Sequence, residues 1–446
     1  MTQQTPAPQQ KPSWKSAVRG NVLAMGLVSL FTDFSSEMMN PLLPIFIAGL
    51  VGGLKAAFYV GLMEGVAEAT ASILKIYSGR ISDRSGKRKA LVIAGYGAST
   101  IARPLMGLAG LVSAATGGLQ VVFLKFLDRV GKGVRTSPRD ALIGDSVPKE
   151  VRGLAFSFHR SMDHAGAVLG PVAAIVVAYF LLGPALWNQP AVDVHKQAPS
   201  GQMLTALRWM FILAIVPGIA AMITLFTMVK EIAPQAPGGG QAAARKAWGL
   251  PRNFYVFVAI VGLFTLGNSS DMFIVMLAAD YFQLSLLKLL LLWMVFHISK
   301  IVFSIPGGLL SDRLGRRPII VAGWLVYALV YLGFALAAPA PGQTSLEREG
   351  LFWGLILLYG VYYGMAEGTE KALVADFVPS ENRATAFGIY SAAIGISALP
   401  ASLMFGVFWT LIGPRIAFGI GAALAGLAAI LLVVLLSASR NKPAEK

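Results

Sequence analysis

Apolar runs long enough to cross a bilayer recur almost from end to end of this chain, separated by short polar turns. Twelve of them fall near residues 20–49, 55–79, 89–112, 119–141, 153–182, 205–229, 253–280, 286–311, 318–338, 350–375, 384–411 and 414–437. Each is close to or above the ~20 residues that a hydrocarbon core about 30 Å thick asks of a helix. The runs are continuous rather than alternating with period two, which excludes a transmembrane β-barrel. The pattern predicts an all-α membrane protein of twelve transmembrane helices.

Composition sharpens that picture. Hydrophobic residues make up 56% of the chain and charged residues 13%, where soluble domains carry charge at roughly a quarter of their positions. Residues 1–18 form a polar tail rich in Gln, Pro and Lys, without the apolar core and small-residue cleavage site of a signal peptide. The absence of cysteine excludes disulfides, thiolate metal sites and cysteine nucleophiles. A net charge of +15 does not read as a nucleic-acid surface, because the basic residues cluster at helix ends. Lys11, Lys15 and Arg19, with the clusters at 80–89, 149–152, 230–252, 313–317 and 440–446, all fall on one side. The positive-inside rule makes that side the cytoplasm, with both termini inside a cell inner membrane and lipid as the surrounding partner.

Pro234, Pro237 and the glycines at 238–240 make 230–252 a flexible linker between two six-helix units, 19–229 and 253–437, with a second tail at 438–446. The two units carry the same marks. Gly79, Ser82, Asp83, Arg84, Gly86 and Arg88 match Gly308, Ser311, Asp312, Arg313, Gly315 and Arg317. Ala141, Leu142, Asp145, Pro148, Arg152 and Phe156 match Ala372, Leu373, Asp376, Pro379, Arg383 and Phe387. More weakly, Ser35, Ser36, Glu37 and Met38 match Ser269, Ser270, Asp271 and Met272. Three matches in the same order, at nearly constant offset, indicate a duplicated six-helix unit.

The Gly-x-x-x-Asp-Arg-x-Gly-Lys/Arg-Arg turn between the second and third helices of each unit resembles the best-known motif of the major facilitator superfamily. The segment 129–135 resembles that family's arginine-glycine motif. Gly166, Gly170 and Pro171 resemble its glycine-proline motif, although Ala173 and Ala174 stand where the strongest version has glycine, which weakens any claim of antiport. The resemblance covers nearly all of 20–437. It implies two pseudo-symmetric six-helix bundles, alternating access, and a central cavity lined by helices one, four, seven and ten. It also implies a gating role for Asp83 and Asp312, with Arg84 and Arg313 beside them. A tight turn made possible by glycine can place such a carboxylate against a helix N-terminus or a neighbouring arginine.

Charges inside the predicted spans point to a polar interior, since a lipid-facing charge is costly. Lys125, Asp128, Arg129, Lys132, Arg135 and Arg139 follow steps of three and four along helix four and share one face. Lys125, Arg129, Lys132 and Arg135 are read as cavity residues. Arg139, Asp140, Asp145 and Arg152 are read as a network at the cytoplasmic end. His159, His297, Lys300 and Lys371 extend the candidate binding set. Asp33, Glu37, Asp163, Asp271, Glu367 and Glu370 are candidate proton carriers, because burial and a nearby cation move a carboxyl in opposite directions. The matched pair Glu37 and Asp271 is expected to face across the cavity. Imidazoles are alternative carriers, and the bland reading of each group is a helix-helix hydrogen bond. Neighbouring residues on one helix, such as His159, Asp163 and His164, cannot alone close a metal shell. No phosphate-binding loop for ATP is present, and no cofactor is implied.

These features predict a monomeric secondary transporter, proton-coupled and moving a small organic anion such as a polycarboxylate, a phosphorylated metabolite or an anionic metal chelate. Guanidinium groups suit the oxygens of such substrates. The alternative is a proton-driven efflux antiporter for apolar or cationic compounds. A receptor or lipid-modifying enzyme on the same scaffold would need a catalytic constellation that the sequence does not display.

Overall fold

In the computed structural model, the described residues are 18–183, 201–232, 249–269, 271, 273–274, 277–278, 282, 284, 286–337 and 346–437. The terminal tails, most of the 230–252 linker and most of the 183–204 loop lie outside them. Among the described residues, twelve transmembrane elements follow one another. α1 is a broken pair, Asn21–Glu37 and Leu43–Val51. α2 is Gly53–Ser85, α3 Arg88–Met106, α4 Gly117–Asp145 and α5 Arg152–Leu182. α6 is Gly201–Leu213 continued by Ile215–Met228. α7 is Arg252–Gly267, α8 Leu286–Leu314, α9 Arg316–Ala337, α10 Leu346–Phe377, α11 Arg383–Leu411 and α12 Pro414–Ser437.

Seven of these, α1, α5, α6, α8, α9, α11 and α12, contain segments long and apolar enough to cross a membrane by composition alone. The remainder include α4 and α10, whose charges lower their hydropathy and are tolerated because they face inward. Outward faces are apolar: Phe180, Leu329 and Leu403 are all more than 60% exposed, the surface that lipid covers.

Two expected spans are interrupted. α1 breaks at 38–42, where Asn40 and Pro41 begin a short 3-10 turn and proline cannot donate to a continuing helix. The run expected to continue to 280 leaves helical geometry at Asn268, whose φ and ψ are −98° and 87°. The first interruption begins at the end of the matched segment 35–38, and the second begins just before its counterpart 269–272. Broken helices free backbone groups that only a polar interior can satisfy.

Helix pairing repeats between the halves. α1 packs on α5 and α6, α2 on α4, and α3 on α4 and α6; the equivalents α7 on α11 and α12, α8 on α10, and α9 on α10 and α12 do the same. Between halves, α2 packs on α11 and α5 on α8. These crossings are close because Gly79 and Gly308 carry no Cβ. One on Gly79 would overlap the Ala384 carbonyl, and one on Gly308 would lie 2.7 Å from the Gly153 carbonyl oxygen.

Candidate functional site

A cavity of about 390 Å³ lies between the halves. Its walls come from α1, α2, α4 and α5 on one side and α7, α10 and α11 on the other. Lys132 stands thirteen residues from the end of α4 at Asp145, about 20 Å at 1.5 Å per residue. The cavity therefore reaches the middle of a hydrocarbon core about 30 Å thick. Six cations line it, Lys75, Lys132, Arg135, Arg139, Arg160 and Lys371, against four carboxylates, Asp33, Asp163, Glu367 and Glu370.

Arg135 makes its direct contacts with neutral groups. Its guanidinium donates to Ser99 Oγ at 2.5 Å and to the Gly95 carbonyl at 3.3 Å, and lies 4.4 Å from the centre of the Tyr96 ring. None of these partners is charged. The carboxylates that could have neutralised the face are engaged elsewhere. Asp128 accepts from Arg103 at 3.0 Å, and Glu37 from Asn40 at 3.0 Å. Glu367 pairs with Arg160 at 3.3 Å and lies 3.2 Å from His164 Nε2, while Asp163 takes Arg160 at 2.8 Å. Glu370 accepts from Trp324 at 2.8 Å and Tyr390 at 2.6 Å. Asp33 faces the cavity without a direct hydrogen bond or ion pair from its carboxylate among the described residues.

Several expected site residues stand elsewhere. The charged stripe of α4 divides: Lys132, Arg135 and Arg139 line the cavity, while Lys125 and Arg129 do not. Lys125 donates to Asn40 at 2.8 Å, held by the break in α1. Arg139 is not part of the end network; it lines the cavity and pairs with Asp140 at 2.9 Å, and Asp140 also takes Lys371 from α10. Glu37 and Asp271 do not face each other across the cavity. Asp271, beyond the break in α7, accepts from Tyr359 at 2.8 Å and stands 4.0 Å from Lys300. Lys300 is itself caged 3.7 Å from the ring centres of both Phe296 and Tyr363. His297 packs against Trp293, Phe296 and His164, and His159 is buried beside Asp163 at 3.7 Å; neither lines the cavity.

Lys75, Arg160 and the rings of Phe264, Tyr362, Tyr363 and Tyr390 belong to the wall but were not among the expected binding residues. A lysine within a predicted span is a signal in itself. The aromatic residues gave none, since tyrosine at helical spacing also describes ordinary core.

The end of the bundle carrying the two glycine turns is closed by contacts between the halves. Asp83 accepts from the backbone N–H groups of Ala384 and Thr385, at 3.2 and 2.7 Å, at the N-terminus of α11. Asp312 accepts from Gly153 and Leu154, at 3.0 and 2.8 Å, at the N-terminus of α5. A helix N-terminus offers unpaired donors and partial positive charge to a carboxylate. Asp83 lies beyond its apolar span, and burial pushes its carboxyl up to about 6 against the pull of these amides and of Arg88. Arg84 and Arg313 take no part; both are exposed. One residue after the aspartate, each points about 100° around the helix from it. Arg88 and Arg316, turned back by Gly86 and Gly315 at φ 68° and 97°, fill that place.

Two further pairs cross between the halves. Arg152 of α5 binds Asp376 of α10 at 2.8 Å, and Arg383 of α11 binds Asp145 of α4. Arg88 also holds Asp145, and Arg316 holds Asp376 at 3.3 Å. Asp376 and Arg383 are the repeat counterparts of Asp145 and Arg152, so the duplication itself was the signal for them.

Comparison with known proteins agrees with this architecture. The family profile of the Major Facilitator Superfamily matches residues 25–370. An uncharacterized MFS-type transporter of Methanocaldococcus jannaschii is 33% identical over 419 residues, 93% of this chain and 94% of the relative. The multi-drug resistance efflux pump PmrA of Streptococcus pneumoniae is 24% identical over 400 residues, 82% of each protein. Among solved structures, that of the human organic anion transporter MFSD10 is similar with a TM-score of 0.70 at 14% identity, covering 95% of this chain and 100% of that one. The chain belongs to the major facilitator superfamily and is a multi-pass membrane transporter, not an enzyme.

Proposed function

We propose that this transporter moves a small organic anion across the inner membrane by alternating access, coupled to protons, with the closed basic end facing the cytoplasm. Arg135 carries the reading. It is buried, lines the cavity and has only neutral partners, and a buried charge is costly until an opposite charge or water completes it. A carboxylate or phosphate oxygen supplies that charge, and the guanidinium fork suits it. The cationic excess of the lining supports the same substrate class. Asp83 and Asp312 then serve as latches of the cytoplasm-closed conformer, each accepting from the N-terminus of a helix of the other half.

The test is calorimetric titration of candidate anions into purified protein. Arg135→Ala is expected to weaken the best anion by about 2 to 5 kcal/mol, the usual loss when one member of a buried charge-assisted pair is removed. Arg135→Lys should recover only part, because an ammonium lacks the planar fork. A second reading, efflux of apolar cations, is favoured by the aromatic wall and by the kinship with a multidrug pump. Tetraphenylphosphonium binding equally to wild type and Arg135→Ala, with no anion bound, would establish it instead.

A further inference from the structure

The cavity is not uniformly lined. The first half contributes Asp33, Lys75, Lys132, Arg135, Thr136, Arg139, Arg160 and Asp163, every one of them polar and five of them cations. The second half contributes Phe264, Tyr362, Tyr363 and Tyr390, all the rings of the lining, together with apolar and small polar groups, a single cation, Lys371, and the carboxylates Glu367 and Glu370, which are held by Arg160 and by Trp324 and Tyr390. Five of the six cations therefore sit on one wall and every ring on the other.

The rings are also fixed in place. Phe264 stacks on Trp324 with centroids 4.5 Å apart, and Tyr362 packs edge-on to Tyr327 at 4.9 Å. Tyr363 is held by Phe296 and Tyr359, at 5.6 and 5.3 Å. The hydroxyl of Tyr390 is committed to Glu370. With that hydroxyl turned to Glu370, Tyr390 has mainly its ring to offer a ligand, and a rigid aromatic surface costs little ordering entropy when one binds. A small, fully polar anion would complete Arg135 but leave this wall facing water. A ligand with an apolar or planar body would cover it and gain burial at roughly 25 cal/mol per Å².

We infer that the substrate is an amphiphilic anion: a carboxylate or phosphate head held by the first half, joined to an aromatic or otherwise planar body that lies against the second. This rests on the anion reading above and narrows it. A volume of about 390 Å³ lies at the small end of ligand pockets, about 300 to 1,000 Å³, and suits one ring system with its acidic group. Such a ligand touches both halves at once, so its departure from either wall is felt by the rotation that opens the transporter.

The experiment uses detergent-purified full-length protein and charge-matched probes: phenyl phosphate against inorganic phosphate, and phthalate against succinate. Affinities are read by calorimetry and by thermal shift, since a ligand stabilises the state it binds. The aromatic member of each pair is expected to bind at least tenfold tighter. Tyr363→Leu should bring the two members of a pair close to equal. Tyr390→Phe, which keeps the ring, should preserve the preference. Failure of the aromatic member to outbind its partner in wild type, including failure of both to bind, overturns this inference. Preference for succinate or phosphate would leave the broader anion reading intact, whereas binding of an apolar cation in place of every anion would overturn both. If Tyr363→Leu does not fold, the wild-type comparison alone decides.

Discussion

A side chain that carries a proton through a transport cycle must tolerate both charge states without dismantling its surroundings, and among the cavity carboxylates Asp33 meets that condition. It lines the cavity, and its carboxylate holds no direct partner among the described residues. Asp163, its neighbour across the cavity wall, is committed to Arg160 and flanked by His159. Asp33→Asn is therefore expected to abolish gradient-driven accumulation while sparing counterflow, which needs no net proton movement. Asp163→Asn should depress both, because it frees the cation that also binds Glu367. Vesicles measured in the two modes separate these outcomes, and equal loss of both activities in Asp33→Asn would remove it from the proton path. Asp33 and Glu37 are one turn apart on the same face of α1, and spacing alone ranked them together. The break at Asn40 and Pro41 separates them by drawing Glu37 onto Asn40.

At the scale of elements, the closest approaches between the halves are set by missing side chains. Gly79→Ala would push its new methyl into the backbone of Ala384. Overpacking of this kind costs about 1 to 3 kcal/mol, enough to shift the closed end toward open by roughly 5- to 150-fold. The absence of native cysteine allows a clean assay. Ser82 is fully buried in the closed end, so Ser82→Cys should label slowly with a maleimide, and Gly79→Ala should accelerate the labelling. An unchanged rate would mean that α2 and α11 separate by some other contact. The elements themselves were legible, because an apolar run of twenty residues has few alternatives to a helix, and the two glycine turns were legible because their spacing repeats. What remained hidden was rotation and partnership. Nothing local foretold that Arg103 of α3 would claim Asp128 and leave Arg135 to neutral neighbours, or that Lys300 would be caged by rings 3.7 Å away instead of reaching the cavity.

For the molecule as a whole, the crossed pairs Arg152–Asp376 and Arg383–Asp145 have a consequence in the language of oligomers. The residues of one pair are the repeat counterparts of the other, so position i of each half meets position j of its neighbour and the reverse. That is the signature of an isologous, two-fold interface, the kind made by a homodimer. The single chain is then like a dimer whose subunits have been tied end to end, and the interface rather than the tie is expected to hold them. Residues 1–238 and 239–446 expressed as separate chains in one cell should assemble and copurify. Arg152→Glu or Arg383→Glu alone leaves one of the two crossed pairs and should weaken that assembly modestly; the two together remove both and should weaken it further, while failure of the wild-type halves to associate would show that the covalent link is essential. A chain built this way inherits a symmetric lock and can diverge only inside it, which is where its two walls, one rich in cations and one carrying the rings, have become unlike.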